Sequence, residues 1–194
     1  MKLTKLLERL DYKVVAGSDN IEITELVNDS RKVVPGSVFV CISGAVSDGH
    51  QYVKDVAEKG AAAVIVEKDV EVPEGLTVIK VEDTRYALAL MSAAYFGYPA
   101  EKLKTIGITG TKGKTTTTYM VKAILEEVGH KVGLIGTIEA IIGDKTIPSN
   151  NTTPESYTIQ KYFAQMVEAG CDCVVMEVSS QGLMLHRTAG IMFD

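Results

Sequence analysis

The stretch "KTIGITGTKGKTTTTYM", Lys104 to Met120, decides how this chain is read. An apolar strand, "KTIGIT", runs into a glycine-bearing loop, and a helix begins near Lys114. The common phosphate-binding loop places a glycine five residues before its Gly-Lys pair, where this chain carries Ile108. Gly107, Gly110 and Gly113 still let the backbone turn sharply and bring several N–H groups towards one point. Such donors at a helix N-terminus make an anion site. Lys114 is placed to reach the β- and γ-phosphates of a nucleotide, and the Thr115 hydroxyl to coordinate Mg²⁺. The bland alternative is an ordinary strand-to-helix turn. Gly-Lys-Thr-Thr behind an apolar strand and ahead of a helix is, however, the context the motif requires.

A second element lies far along the chain. Glu177 ends the apolar run "CVVME" and should stand at the carboxyl end of a neighbouring strand, where ligands of open α/β sheets sit. An acid there can hold Mg²⁺ directly or through water. Its bland reading is a solvated strand-end carboxylate.

Outward from these two points, apolar strands alternate with amphipathic helices, the mark of an α/β fold. "SVFVCI", "AAAVIVE" and "LTVIKV" read as strands, and "HQYVKDVAEKG" as a helix closed by Gly60. "DTRYALALMSAAYFG" reads as a helix with Asp83 as N-cap, stopped by Gly97 and Pro99. A boundary near residues 98–103 divides the chain into domains 1–100 and 101–194. In the second, "TIEAIIGDKTIP" is a hairpin turning at Gly143-Asp144. The helix "PESYTIQKYFAQMVEAG" and the strand "CDCVVMEV" come after it. About three central strands plus a hairpin is thin for a nucleotide-binding domain, which predicts a fragment of a longer protein.

The composition of the 194 residues is that of a globular protein, 46% hydrophobic and 23% charged. A net charge of −5 argues against non-specific nucleic-acid binding. The leucines of "MKLTKLLERLDYKVV" are interrupted by charges, so no secretory signal is read there. No stretch approaches the ~20 apolar residues of a membrane span. The expected location is the cytoplasm, with neither nucleic acid nor membrane as partner. The three cysteines, Cys41, Cys171 and Cys173, read as buried thiols rather than a metal site.

"TGTKGKTT" resembles the T-G-T-x-G-K-T-T signature of the Mur ligase family, which builds the peptide of bacterial cell-wall precursors. "NDSRKVVPGSVFVCISGAVSDGHQYVKDVAEKGAAAVIVE" is similar to the family's uridine-binding N-terminal domain, with D-S-R, P-G-x-x-F, D-G-H and G-A in order. "NTTP" at 151–154 and "EVSSQGLMLHR" at 177–187 resemble the MurE type, which adds the third amino acid to UDP-N-acetylmuramoyl-L-alanyl-D-glutamate. The neighbouring MurF type shares the loop and the N-terminal elements.

The resemblance implies an α/β uridine-binding domain followed by the first part of a phosphate-loop-type central ATPase domain. It implies that Gly110, Thr111, Lys112, Gly113, Lys114, Thr115 and Thr116 hold ATP, with Lys114 catalytic, and that Thr115 and Glu177 hold Mg²⁺. Ser30 would contact the uridine diphosphate, with Ala45, Val46 and Ser47 closing near the uracil. Thr152, Thr153, Ser179 and Arg187 would bind the UDP-N-acetylmuramoyl-dipeptide. The amino-acid substrate, diaminopimelate being the commoner choice in the family, would be selected by parts beyond Asp194, so this chain alone is expected not to ligate.

The bland readings stand beside these. Ser30-Arg31 caps a turn, "NTTP" starts a helix with Thr153 as N-cap, and Arg187 forms a surface ion pair. Two other classes remain open, a stand-alone phosphate-loop NTPase or kinase and a module that binds uridine nucleotides.

Overall fold

Strands covered on both faces need apolar side chains on both, which is why the central strands read as unbroken hydrophobic runs. The computed structural model describes residues 1–44 and 47–194, which pack as two units, 1–91 and 92–194. Ala45 and Val46 lie outside the described residues.

The first unit opens with α1 (Leu3–Leu6), whose Leu3 and Leu6 are buried, and continues through β1 (Lys13–Ala16), β2 (Leu26–Val27) and β3 (Val38–Val40). Then come α2 (Val53–Glu58), β4 (Ala63–Val66), β5 (Thr77–Lys80) and α3 (Thr84–Tyr95). Its sheet has the order β1-β5-β4-β3-β2, parallel except for β1. Alternate residues of β3 and β4 (Phe39, Val64, Val66) join Val53 and Val56 of α2 in one core cluster. Gly60 closes α2 with a φ of +87°, a conformation that costs glycine little. Asp83 caps α3 by accepting the Tyr86 N–H at 2.9 Å.

The division between the units falls inside α3, ahead of the Gly97–Pro99 stop. The end of that helix belongs with the second unit, because the Tyr95 and Phe96 rings pack with Tyr157.

The second unit contains β6 (Lys104–Ile108), α4 (Lys114–Glu127), β7 (Val132–Ile135), β8 (Glu139–Ile142) and β9 (Lys145–Pro148). It ends with α5 (Ser156–Glu168), β10 (Cys173–Glu177) and α6 (Ser180–Met184). The order is β6-β10-β7-β8-β9, with β10 parallel to both neighbours and β8–β9 an antiparallel hairpin. Ile142 pairs with Lys145, so the turn is Gly143-Asp144, with Gly143 at a φ of +56°.

β10 is buried at every residue, and its side chains divide by parity. Val174 and Met176 meet Ile159, Phe163 and Met166 of α5. Cys173 and Val175 meet Val121 and Leu125 of α4. Ile159, Phe163 and Met166 lie four and three residues apart, one helical stripe, and burying each contributes about 1.5–3 kcal/mol. β10 lies between β6 and β7, which are consecutive strands of the chain, and the rule for open α/β sheets puts the ligand crevice at the carboxyl ends of such strands. Among the described residues no helix is long and apolar enough to cross a membrane.

Candidate functional site

The crevice gathers residues from four separate stretches of sequence. After β6 the chain turns through Gly110 (φ +142°) and Gly113 (φ +78°), conformations unfavourable to side chains. The loop from 110 to 113 is exposed, with its amides at the start of α4. Lys114 Nζ is folded back onto the Gly110 carbonyl at 2.9 Å, closing the loop upon itself. A phosphate group would offer that ammonium a stronger, charged acceptor in the same place. Thr118 Oγ1 bonds the Lys114 carbonyl at 2.7 Å and secures the first helical turn.

Glu177 is only 1% exposed, so the solvated strand-end reading does not describe it. It accepts the Thr115 hydroxyl at 3.0 Å, the Thr137 N–H at 2.8 Å and the Thr137 hydroxyl at 3.1 Å. A carboxylate has about four lone-pair sites, so three accepted bonds nearly saturate it. A Cβ on Gly136 would come within 2.6 Å of Glu177 Oε1, so a side chain there would push the carboxylate from the position it holds. Thr115 and Glu177 together form a hard oxygen donor set suited to Mg²⁺. At this burial a cation reaches the carboxylate only through water, or as the covering hydroxyls turn away.

The substrate segments predicted at 151–154 and 177–187 meet at the same place. Thr152 Oγ1 lies 3.0 Å from Thr137 Oγ1. Thr153 is buried; its hydroxyl donates to the Glu177 carbonyl at 2.9 Å and accepts the Ser179 N–H at 2.9 Å. It is therefore not the N-cap of α5, a position held by Glu155. Ser179 caps α6 through the Gly182 N–H at 3.0 Å. Arg187 is committed to the protein, Nη1 to the Thr153 carbonyl at 2.9 Å and Nη2 to Glu155 at 2.6 Å. Its Nε is buried without a partner. The pairing with Glu155 is the ion pair of the bland reading, but the arginine is 12% exposed and braces the segment carrying Thr152 and Thr153.

Thr137 was not singled out from the sequence. Its only signal there was its place directly after the buried strand "KVGLIG", and it becomes visible as a site residue once Glu177 is seen to bind both its N–H and its hydroxyl. Tyr119 and Glu139 were missed as well. The Tyr119 hydroxyl donates to Glu139 at 2.7 Å, and burial together with that bond pushes its pKa up to about 12.

In the first unit, Ser30 starts a 3₁₀ turn (Ser30–Lys32) just past β2, and its carbonyl accepts Lys59 Nζ at 2.8 Å. Asp29 caps that turn and grips Arg31 with both oxygens, at 2.9 Å each. The cap of the bland reading is thus Asp29. Ser47 Oγ lies 3.0 Å from Tyr52 Oη.

His50 and His130 bond carboxylates and a backbone N–H rather than a hydroxyl or thiol. His50 Nδ1 bonds Asp48 at 2.6 Å while its Nε2 accepts the Glu67 N–H at 3.1 Å. His130 Nδ1 bonds Asp172 at 2.7 Å. His130, Asp172 and Cys173 bring ligand atoms within 4.8 Å of one another, so a histidine does approach the C-x-C pair. Asp172 also accepts the Lys131 N–H at 3.0 Å, and burial pushes the Cys173 thiol above its usual pKa, away from the thiolate that a metal needs. All three cysteines are free and buried.

Two family profiles match the chain, one described as Mur ligase family, catalytic domain, over residues 22–96 and one as Mur ligase middle domain over residues 108–194. The UDP-N-acetylmuramoyl-L-alanyl-D-glutamate--2,6-diaminopimelate ligase of Clostridium perfringens is 50% identical over 194 residues, which are 100% of this chain and 40% of that protein. A solved structure of a ligase bearing the same name superposes with a TM-score of 0.81 at 22% identity, covering 100% of this chain and 39% of that one. The MurF ligase of Thermotoga maritima, solved with ADP, gives a TM-score of 0.50 at 24% identity over 80% of this chain and 32% of its own. At such identities the two structures speak for the fold alone. The sequence relative, both profiles and the fold agree, and the chain belongs to the Mur ligase family.

Proposed function

We propose that this chain supplies the uridine-nucleotide and ATP-binding parts of a ligase that joins diaminopimelate to UDP-N-acetylmuramoyl-L-alanyl-D-glutamate. The chain spans 40% of the length of the relative it matches, so the activity proposed is that of an enzyme of the relatives' length. In this reading residues 1–100 hold the uridine diphosphate end, with Ser30, Ala45, Val46 and Ser47 against it, and residues 101–194 hold ATP. The substrates belong to the soluble, cytoplasmic stage of precursor synthesis.

The chemistry calls for activation. A carboxylate does not acylate an amine at neutral pH, because its leaving group would be oxide or hydroxide. Transfer of the ATP γ-phosphoryl to the glutamyl carboxylate makes an acyl phosphate, which the incoming amine attacks with loss of phosphate. The protein's share is positioning and charge stabilisation. Lys114 leaves the Gly110 carbonyl for the phosphates, and the amides from Gly110 to Thr116 surround them. Thr115 and Glu177 would hold Mg²⁺, which when bound offsets the charge on the phosphate oxygens. Thr152, Thr153 and Ser179 line the acceptor side, and Arg187 keeps Thr153 in place.

The observation that carries this reading is the continuous hydrogen-bonded path Thr115–Glu177–Thr137–Thr152. It sets the phosphate loop beside the "NTTP" segment, and a phosphoryl transfer needs its two substrates held side by side. Calorimetric titration with UDP-N-acetylmuramoyl-L-alanyl-D-glutamate, with and without a non-hydrolysable ATP analogue and Mg²⁺, tests it. Saturable binding of both is expected of an enzyme of the relatives' length, and weaker binding of both by the 194-residue chain. ATP hydrolysis indifferent to the muramoyl compound would identify a stand-alone NTPase instead, and muramoyl binding that survives Lys114→Ala with no nucleotide bound at all would identify a uridine-nucleotide module.

A further inference from the structure

Thr137 stands between two groups that the proposed function gives to different ligands, and its hydrogen bonds have a direction. Glu177 as a carboxylate only accepts, so the Thr137 hydroxyl, 3.1 Å from Oε2, spends its single proton on the acid. The contact between Thr137 Oγ1 and Thr152 Oγ1, at 3.0 Å, must then be donated by Thr152. Thr152 thus points its own proton inward and offers only lone pairs to the crevice. That arrangement repels an anionic oxygen. A pyrophosphate or carboxylate bound at Thr152 needs the proton turned outward.

The demand that fixes this direction comes from Glu177, which is buried and nearly saturated by its three donors. Glu177, if it held a cation together with Thr115, would have fewer lone pairs left for Thr137 and would hold its hydroxyl less firmly. The Thr137 proton can then swing to Thr152 Oγ1, and the Thr152 proton to the crevice. Both are hydroxyl rotations without bond breaking. The Thr137 N–H remains on Glu177 Oε1 at 2.8 Å throughout and keeps the backbone in place.

We propose that Thr137 is a positioning residue, a hydroxyl relay by which loading of the cation and nucleotide turns Thr152 from an acceptor into a donor for the anionic part of the second substrate. The inference rests on the function proposed above and adds an order of preference to it: the muramoyl compound binds the loaded site better than the empty one. By linkage the nucleotide is bound more tightly to the same degree when the muramoyl compound is present.

Thr137 is exposed, and its backbone bond survives substitution, so Thr137→Val removes the relay together with the hydroxyl's own bond to Glu177 and leaves the backbone in place. Thr137→Ser keeps the hydroxyl. The reading is the ratio of the dissociation constants of UDP-N-acetylmuramoyl-L-alanyl-D-glutamate without and with the non-hydrolysable ATP analogue and Mg²⁺, measured calorimetrically on the 194-residue chain. The unsubstituted chain and Thr137→Ser should give a ratio of about 5 or more, within the usual range of coupled sites, and Thr137→Val a ratio near one. A Thr137→Val chain that keeps the full ratio overturns the relay and leaves the proposed function standing. So does an unsubstituted chain that binds both ligands with a ratio of one. An unsubstituted chain that binds neither ligand sinks both proposals together. Circular dichroism melts of the three proteins separate loss of coupling from loss of fold.

Discussion

Each unit places a carboxylate at the carboxyl end of a parallel strand and surrounds it with three donors. In the first, Glu67 follows β4 and accepts the Ser43 hydroxyl at 2.5 Å and, from Thr84, the N–H at 3.0 Å and the hydroxyl at 2.8 Å. In the second, Glu177 ends β10 and accepts the Thr115 hydroxyl and both donors of Thr137. The difference lies behind the donors. Thr84 is fully buried and opens α3, so the knot around Glu67 is closed and ties a helix start to Ser43. Thr137 is exposed and passes its contact on to Thr152, so the knot around Glu177 opens onto a crevice. The same local chemistry makes a clamp in one place and a candidate site in the other.

The largest effect expected breaks the open knot. In a ligase of the relatives' length, Lys114→Ala or Glu177→Ala should lower acyl phosphate formation on the order of 10³-fold, the scale of losing a preorganised charge partner. Phosphate exchange measures it, and exchange at the unsubstituted rate would remove both residues from the site. Ser30→Ala, at the other unit, should instead raise KM for the muramoyl compound roughly tenfold at constant kcat, as loss of uniform binding does.

A middle-sized effect tests the closed knot. Burial works to raise the pKa of Glu67, but the bonds from Ser43 and Thr84 and the nearby His50 ring outweigh it and hold it below the usual carboxylate value. A depressed folded pKa stabilises the protein above the unfolded value of about 4.3, and the contribution is lost as pH falls through the folded one. Glu67→Gln should therefore cost about 1–3 kcal/mol in urea unfolding near pH 7 and less at the acid end of that window. A cost that stays constant through it would show that the charge of Glu67 is not what holds the clamp. Nucleotide affinity, which the proposed function gives to the second unit, should not change with it.

The smallest effect concerns the Asp29–Arg31 pair near Ser30. Hydrogen bonds from the Arg31 side chain and backbone hold the Asp29 pKa down to about 2. Carbon-detected NMR titration should place it there and see it rise towards about 3.9 in Arg31→Ala, with little change in stability because the arginine lies in solvent. An Asp29 that titrates at the ordinary value in both proteins would show the pair to be loose.

Much of this was legible in the chain. The turn at Gly143-Asp144, the Asp83 cap and the stop at Gly60 arise from backbone permissions that specific residues carry. The strand–loop–helix around Gly110–Thr115 was legible for the same reason. Glu177 was placed at a strand end by the apolar run before it. That it would be buried was not, since burial depends on Gly136 leaving space from another strand's end. Arg187 was read as a ligand contact, and its bracing role was not legible, because the acceptors it bonds, the Thr153 carbonyl and Glu155, lie 34 and 32 residues away along the chain and are brought beside it only by folding.

The sequence by itself determined the alternation of strands and helices, the glycine turn and the family, because periodicity, φ preferences and motif spacing are local properties that a linear chain records. The tertiary structure alone decided that Thr115, Glu177, Thr137 and Thr152 form one hydrogen-bonded path. A bond between side chains needs them within about 3 Å, and only the order of parallel strands, with β10 between β6 and β7, sets four distant segments at that separation.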